Sequence, residues 1–191
     1  MEQILALDAT VFLAVNRLWH PAFFVSVAQF FSLIGSYGLV WLVVSVLLFF
    51  REEKRHHSFF FPIGLSFFGS LLFSEWIGKY FVGRPRPFLT LPSAVFVSEL
   101  TSPSYPSTHT TVAFALAVVL SRYERRLSWV FFSLAWGIGL SRIYLGVHYP
   151  LDVVSGALLG SLIGRTALVM LSLKTRKTIR QKAQSGTRRM R

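Results

Sequence analysis

The chain has 191 residues, the length of about one domain, with a mean hydropathy of +0.53 and 53% hydrophobic residues. That composition is too apolar for an ordinary soluble domain of this size and indicates a polytopic membrane protein. The absence of cysteine excludes disulfides and thiolate metal sites. The formal net charge of +12 could indicate nucleic-acid binding, but the basic residues flank apolar segments, so we expect contacts with membrane lipid headgroups and no nucleic-acid partner.

The N-terminal region, residues 1–34, contains two apolar segments whose placement the sequence leaves open. Residues 3–17 are apolar but short for a membrane crossing. Residues 21–34 carry Ser26, Gln29 and Ser32 at a spacing of three, which makes a polar stripe on an otherwise apolar helix. Such a helix either lies at the membrane interface or lines a groove.

Five further apolar segments predict transmembrane helices: 36–50, 57–79, 107–121, 127–145 and 151–173. With 3–17 as a sixth, we predict an all-α, polytopic membrane helical bundle of five to six transmembrane helices, forming a single domain over residues 1–173. Residues 174–191 form a basic tail that we expect to be frayed.

Glycines recur every four residues on the last predicted helix, at Gly156, Gly160 and Gly164. They form one flat face that allows close helix approach. We favour packing within the molecule over a dimer interface, and the oligomeric state stays open.

The connections between the predicted helices alternate in character along the chain. The connections 51–56 and 122–126 and the tail 174–191 are rich in Lys and Arg, whereas 80–106 and 142–150 carry polar motifs. Basic loops tend to stay in the cytoplasm. We therefore predict a cytoplasmic C-terminus and place every motif at the outer face of the membrane.

The first motif supplies positive charge. Lys79 ends its predicted helix, and Arg86 stands between two prolines in a stiff extended stretch. Cations held in place in advance stabilise a transferring phosphoryl group effectively. Arg84 is read as a further contact or a headgroup anchor and is left out of the site, while Glu75, four residues before Lys79, is expected to pair with it as structural support.

The second motif opens a helix at the same membrane face. Ser107 follows a proline and is a favourable N-cap residue. The first backbone N–H groups of that helix would point toward an anion, and His109 lies in its first turn. A capped helix with a surface histidine is the alternative explanation for this motif alone.

The third motif combines Arg142, His148 and Asp152. A carboxylate four residues after a histidine can accept from one imidazole nitrogen and leave the other as a nucleophile. Arg142 can clamp phosphate oxygens with its two-pronged guanidinium. His148 with Asp152 could also be only a capping hydrogen bond, but the three motifs together indicate a phosphoryl-transfer site.

This combination resembles the type 2 phosphatidic acid phosphatase (PAP2) superfamily, whose pattern is Lys-x6-Arg-Pro, Pro-Ser-Gly-His and Ser-Arg-x5-His-x3-Asp. The first and third elements match at every spacing, and the matches span residues 79–152. Thr108 stands where the family has glycine, and its backbone N–H is retained.

The resemblance implies an integral membrane lipid phosphatase that needs no metal or other cofactor. His148 would be the nucleophile that forms a phosphohistidine, Asp152 would orient it, and His109 would protonate the leaving oxygen and then help activate water. The phosphate would be held by Lys79, Arg86, Ser107, Thr108 and Arg142. A neutral His148 and a protonated His109 imply a bell-shaped pH profile.

Several readings of the function remain open at this point. Bacterial members of the family act on undecaprenyl diphosphate, phosphatidylglycerophosphate or lipid A phosphates, and phosphatidic acid is a further candidate; the inner membrane of a bacterium is the expected location. A phosphotransferase passing the group to a second lipid is a close variant. A haloperoxidase, or a lipid-phosphate binder or transporter without catalysis, are the alternatives from other classes.

Overall fold

The computed structural model describes residues 2–52, 59–92, 94–95 and 101–189, which contain helices and connections but no strand. Part of the first basic connection, including Lys54 and Arg55, lies outside the described residues, as do Ser93 and residues 96–100 of the connection between the first two motifs.

The helices follow the predicted segments closely. In chain order they are α1 (Glu2–Asn16), α2 (Ala22–Gly35), α3 (Leu39–Glu52), α4 (Phe60–Leu71), α5 (Lys79–Val82), α6 (Pro87–Thr90), α7 (Thr108–Tyr123), α8 (Ser128–Tyr144) and α9 (Pro150–Arg189). A π-helical turn, Leu72–Gly78, joins α4 to α5, and short 3₁₀ turns precede α3 and α8.

The basic tail differs from our expectation of fraying, because α9 continues without a break to Arg189. A helix rises about 1.5 Å per residue, so α9 extends well beyond the thickness of a bilayer core.

Helix α7 is the centre of the bundle. It packs against α9, α8 and α4, and residues such as Ala113, Ala117 and Leu120 are fully buried. A helix that is buried on nearly every side must be surrounded by other helices. Both ends of α7 are therefore fixed by its neighbours.

The glycine face of α9 packs against α7 within the same molecule. A methyl group at Gly156, Gly160 or Gly164 would lie 2.8, 2.2 and 2.6 Å from backbone oxygens of α7 and the residue before it. These distances leave no room for a side chain. The glycines therefore bring the start of α9 close to the start of α7, and with them the second and third motifs.

The basic segments and the motifs lie at opposite ends of the bundle. The rings of Phe59 and Tyr123 are 4.7 Å apart, and Lys174 lies over the ring of Phe61 at 4.4 Å. These contacts join the start of α4, the end of α7 and the basic part of α9. The opposite end, called the motif end below, carries the described residues of 79–109 and residues 142–152.

Helix α1 lies across the motif end, where the sequence suggested a sixth crossing. Asp8 in its middle accepts a hydrogen bond from the Leu151 N–H at the start of α9, and Asn16 at its end donates to the Tyr144 carbonyl at the end of α8. Because both contacts are at one end of the bundle, α1 covers that end instead of running along it.

Among the described residues, length and composition allow two helical stretches to cross a membrane, Phe60–Thr90 and Pro150–Thr178, or three if the bent pair α2 and α3 is one crossing. With α1 across the motif end, the sixth predicted crossing at 3–17 is not supported, and the other five remain a prediction. Large apolar side chains such as Phe68, Trp129 and Leu158 are about 70% exposed, as expected of surfaces that face lipid.

Candidate active site

The three motifs meet around one cavity of about 540 Å³ at the motif end. Its walls come from the end of α2 and the turn after it, the end of α4 and the π-helical turn, the segment before α6, the start of α7, the end of α8 and the segment before α9. The polar side chains that line it are Ser32, Ser36, Glu75, Lys79, Arg86, Ser102, Thr108, His109, Arg142 and His148.

Arg86 is held in place by the local chain geometry. The helix ends at Gly83, whose φ of 57° lies in the left-handed region that favours glycine, and the chain then runs extended to Pro87. The Arg86 guanidinium donates to the carbonyls of Ser102 at 2.7 Å and Val147 at 2.8 Å. Buried and fixed on both sides, this cation is positioned before any ligand binds.

His148 has two distinct nitrogens facing opposite charges. Its Nε2 lies 3.4 Å from the Arg86 Nη1, and its Nδ1 lies 3.5 Å from the Asp152 Oδ2. Arginine can only donate, so the Nε2 facing it is the unprotonated nitrogen and the proton is assigned to Nδ1. At 3.5 Å the buried Nδ1 makes no hydrogen bond, so the contact with Asp152 is an orienting electrostatic one.

The pKa of His148 is lowered from 6.5 to about 4. Burial is the largest cause, and the nearby cations Arg142 and Arg86 lower this pKa further, while Asp152 opposes them. The imidazole is therefore neutral near pH 7, the form in which a histidine can act as a nucleophile.

His109 lies across the cavity and is held by α2. Its Nε2 is 3.3 Å from the Ser36 Oγ, which itself donates to the Ser32 carbonyl at 2.9 Å. Because the single Ser36 proton is used in that bond, Nε2 of His109 is the donor to Ser36. Nε2 is therefore a protonated nitrogen held by Ser36, and a proton that His109 transfers to a ligand would come from Nδ1.

Arg142 reaches the cavity from the end of α8. Its Nη1 donates to the Ser32 Oγ, and its Nε is buried without a hydrogen-bond partner. A guanidinium that lines the cavity and has an unpartnered N–H can donate hydrogen bonds to an anionic ligand. Of the two sequence explanations for the polar stripe of α2, Ser32 at this wall supports the groove.

Lys79, Glu75 and Thr108 form a connected group. The Glu75 Oε1 accepts from the Lys79 Nζ at 2.7 Å and from the Thr108 Oγ1 at 2.6 Å. The predicted pair of Lys79 and Glu75 is present, and it also fixes Thr108. The threonine side chain is directed to this carboxylate, which leaves its backbone N–H at the start of α7.

Ser107 occupies the N-cap position of α7, but its side chain makes no capping bond. Its Oγ instead accepts from the Thr110 Oγ1 at 3.0 Å, and the residue is fully buried. Ser107 is not among the residues that line the cavity, although Thr108 and His109 beside it are.

Sequence reasoning missed part of the surroundings of these residues. Arg84, which we left out of the site, donates to Asp152 at 2.8 Å and to Asp8 at 2.6 Å. Ser102 was not singled out, although it contacts both Lys79 and Arg86. The sequence patterns singled out Arg86, and none of them connected Arg84 with Asp8 or Asp152.

The arrangement brings together side chains that are able to bind an anion, act as a nucleophile and donate a proton. Three cationic side chains and two histidines converge on one cavity with a single carboxylate, that of Glu75, among the lining residues. The described residues contain no group of three His, Cys, Asp or Glu side chains arranged to hold a metal. Such a site can bind a phosphate and transfer it to an imidazole.

Comparison with known proteins agrees with these motifs. The model of the PAP2 superfamily matches residues 59–176. An undecaprenyl-diphosphatase from Sulfolobus acidocaldarius is 32% identical over 152 residues, covering 78% of this chain and 72% of that protein.

Two solved structures share the fold. LpxE from Aquifex aeolicus has a TM-score of 0.70 and 32% identity, covering 83% of this chain and 93% of that one. A transmembrane PAP2-type phosphatidylglycerolphosphate phosphatase from Bacillus subtilis has a TM-score of 0.74 and 21% identity, covering 90% and 88%. The chain therefore belongs to the PAP2 superfamily and is an integral membrane lipid phosphatase of that family.

Proposed function

We propose that the protein hydrolyses the terminal phosphate or diphosphate of a membrane lipid through a phosphohistidine on His148, without a metal ion. The observation that supports this most directly is the ring of His148. Its unprotonated Nε2 lies 3.4 Å from a fixed guanidinium at the cavity wall, with Asp152 behind Nδ1.

In the first step, Nε2 of His148 attacks phosphorus. A P–N bond forms while the P–O bond to the lipid breaks, and His109 gives its proton to the departing oxygen. Asp152 keeps the proton of His148 on Nδ1 and stabilises the positive charge that develops on the ring.

In the second step, water attacks the phosphohistidine. His109, now neutral, accepts a proton from the water as the new P–O bond forms and the P–N bond breaks. Inorganic phosphate leaves, and both histidines return to their initial protonation states.

The phosphate oxygens would be held by Lys79, Arg86, Arg142, the Ser107 hydroxyl and the backbone N–H of Thr108. These donors are fixed before binding, which lowers the cost of stabilising the extra charge of the transition state. Arg142, with an unpartnered buried Nε, has the donor capacity for a two-pronged contact.

The cavity is proposed to open at the outer face of a bacterial inner membrane, with residues 1–173 as the catalytic domain and the basic tail 174–191 in the cytoplasm. Undecaprenyl diphosphate is one candidate substrate, given the Sulfolobus relative. Phosphatidylglycerophosphate, phosphatidic acid and lipid A phosphates are the others, and a phosphotransferase would use the same first step.

The test is phosphate release in detergent with EDTA, using these four lipids and comparing wild type with His148→Ala and Arg165→Ala. Arg165 is an exposed cation on α9 outside the cavity, so its variant controls for general effects of substitution. We expect metal-independent release that His148→Ala loses and Arg165→Ala keeps. Release that requires a divalent cation, or survives in folded His148→Ala, would contradict the proposal.

The phosphohistidine can also be trapped on the protein as a second test of the proposal. Brief reaction with a ³²P-labelled substrate, followed by an alkaline quench, should leave label on wild-type protein, since phosphohistidine survives base better than acid. His148→Ala should carry none. Label transferred to an added lipid acceptor would indicate a phosphotransferase.

A further inference from the structure

A buried chain of charges connects α1 to the start of α9 behind the cavity. Arg84 donates through Nη1 to the Asp152 Oδ1 at 2.8 Å and through Nη2 to the Asp8 Oδ2 at 2.6 Å. The side chains of Asp8 and Asp152 are 1% and 0% exposed. Buried charges are stable only when they are paired, so each member depends on the others.

This network fixes both oxygens of Asp152. The Oδ1 faces Arg84, and the Oδ2 accepts from the Tyr149 N–H at 2.9 Å. With both positions occupied, the carboxylate cannot rotate away from His148. Its Oδ2 is thereby kept 3.5 Å from the Nδ1 of that ring.

Arg84 is itself held on three sides. Its guanidinium lies 3.8 Å from the ring centroid of Tyr149, and its carbonyl accepts from the Ser104 N–H at 2.8 Å. Asp8 supplies the third side and uses its other oxygen to accept from the Leu151 N–H at 2.9 Å. A residue of α1 thus caps the helix that carries Asp152.

We infer that Arg84 and Asp8 are positioning residues for the Asp152–His148 pair, which makes α1 part of the catalytic apparatus. The inference rests on the proposed function of His148 as the nucleophile. Neither residue lines the cavity, so both act through Asp152.

The charge of Arg84 also has a predictable effect on His148. In Arg84→Gln the Asp152 carboxylate loses its compensating cation and attracts the imidazolium more strongly, which raises the pKa of His148. The other charged and titratable groups around His148 are unchanged: Glu75, Lys79, Arg86, His109 and Arg142.

The experiment compares Arg84→Gln, Arg84→Lys, Asp8→Asn and the double variant D8N/R84Q with Arg165→Gln as the control. Each is assayed for kcat, KM and the pH dependence of kcat/KM on whichever of the four lipids the wild type hydrolyses fastest. Thermal unfolding in detergent shows which variants are folded.

We expect Arg84→Gln to lower kcat about 10- to 100-fold, the range for residues that orient a reactive group from behind, with KM within about threefold of wild type. The acid limb of kcat/KM should move to higher pH. Arg84→Lys should restore part of kcat and return the acid limb of kcat/KM to its wild-type pH. Asp8→Asn should lower kcat less than Arg84→Gln does and should not move the acid limb to higher pH. The double variant should have a kcat no lower than that of Arg84→Gln alone.

Full activity and an unmoved limb in Arg84→Gln would overturn this inference alone, provided that His148→Ala is inactive. Additive losses in the double variant would also overturn it. An inactive wild type would overturn both this inference and the proposed function. If Arg84→Gln does not fold, Arg84→Lys and Asp8→Asn decide: wild-type kcat in both would overturn the inference.

Discussion

At the scale of single residues, the environment of His148 controls when it can react. The nucleophile must be neutral, and burial beside two guanidinium groups lowers its pKa to about 4. An ordinary histidine would already be half protonated near pH 6.5. The cations proposed to bind phosphate therefore also keep the proposed nucleophile neutral at lower pH.

The lowered pKa of His148 predicts at which pH the activity falls. Neutral His148 is lost as pH falls through its pKa, so kcat/KM should fall on the acid side with a limb near pH 4 and not near 6.5. The measurement is kcat/KM between pH 3.5 and 9. The substrate phosphate titrates near pH 6 and adds its own limb to the profile. That limb must be distinguished from the limb near pH 4 assigned to His148. A lowest limb at or above pH 6 would contradict the assignment of His148.

Arg142 offers a second prediction, based on the geometry of its side chain. Lysine keeps the charge but loses the planar fork, so Arg142→Lys should lose phosphate contacts of about 1.5–3 kcal/mol, which lowers kcat/KM about 10- to 150-fold. Arg165→Lys makes the same replacement at an exposed position and should leave kcat/KM unchanged. Equal activity of the two variants would remove Arg142 from the proposed phosphate site.

At the scale of helices, the glycine face of α9 determines how the motifs meet. A methyl group at Gly160 would lie 2.2 Å from the Thr111 carbonyl oxygen, which requires the two helices to separate. Gly64 on α4 has no atom within 4 Å of the same added group. The two positions form a matched pair for the same substitution.

We expect Gly160→Ala to lower stability by about 1–3 kcal/mol, the usual cost of overpacking, which corresponds to several degrees in Tm. Gly64→Ala should keep or raise Tm, because alanine is the better helix former. Thermal unfolding in detergent checks both, with phosphate release measured alongside. Coinciding melting curves would show that α7 and α9 are not in close contact.

Helix lengths and motif spacings could be predicted from the sequence, whereas contacts between distant segments could not. Apolar length predicted the helices, and the fixed spacing of the third motif placed Arg142, His148 and Asp152 near one another, because the motif spans only a helix end and the next helix start. Asp8 and Ser36 had no such pattern, and the polar stripe of α2 that contains Ser32 gave no indication of its partner. Their partners lie 73 to 143 positions away in the chain, so only tertiary packing brings them to the site.

At the scale of the whole molecule, charge and chemistry are divided between two ends. The described basic residues near Tyr123 and Lys174 lie opposite the cavity, and apolar side chains such as Leu158 are exposed between them. The structure fixes which segments share an end. Which end faces the cytoplasm depends on the positive-inside argument alone and remains a prediction.

The orientation can be tested by labelling, since the chain has no cysteine of its own. Thr101 is exposed at the motif end, Arg125 is exposed at the basic end, and Leu158 lies between them at 69% exposure.

A membrane-impermeant maleimide added to intact cells, or to spheroplasts where an outer membrane is present, should label Thr101→Cys. It should reach Arg125→Cys only after the membrane is opened, because basic loops are retained in the cytoplasm. Leu158→Cys should resist the reagent in both cases, since its thiol would face hydrocarbon. Labelling of Arg125→Cys in intact cells, with Thr101→Cys protected, would invert the topology and place the phosphatase cavity at the cytoplasmic face.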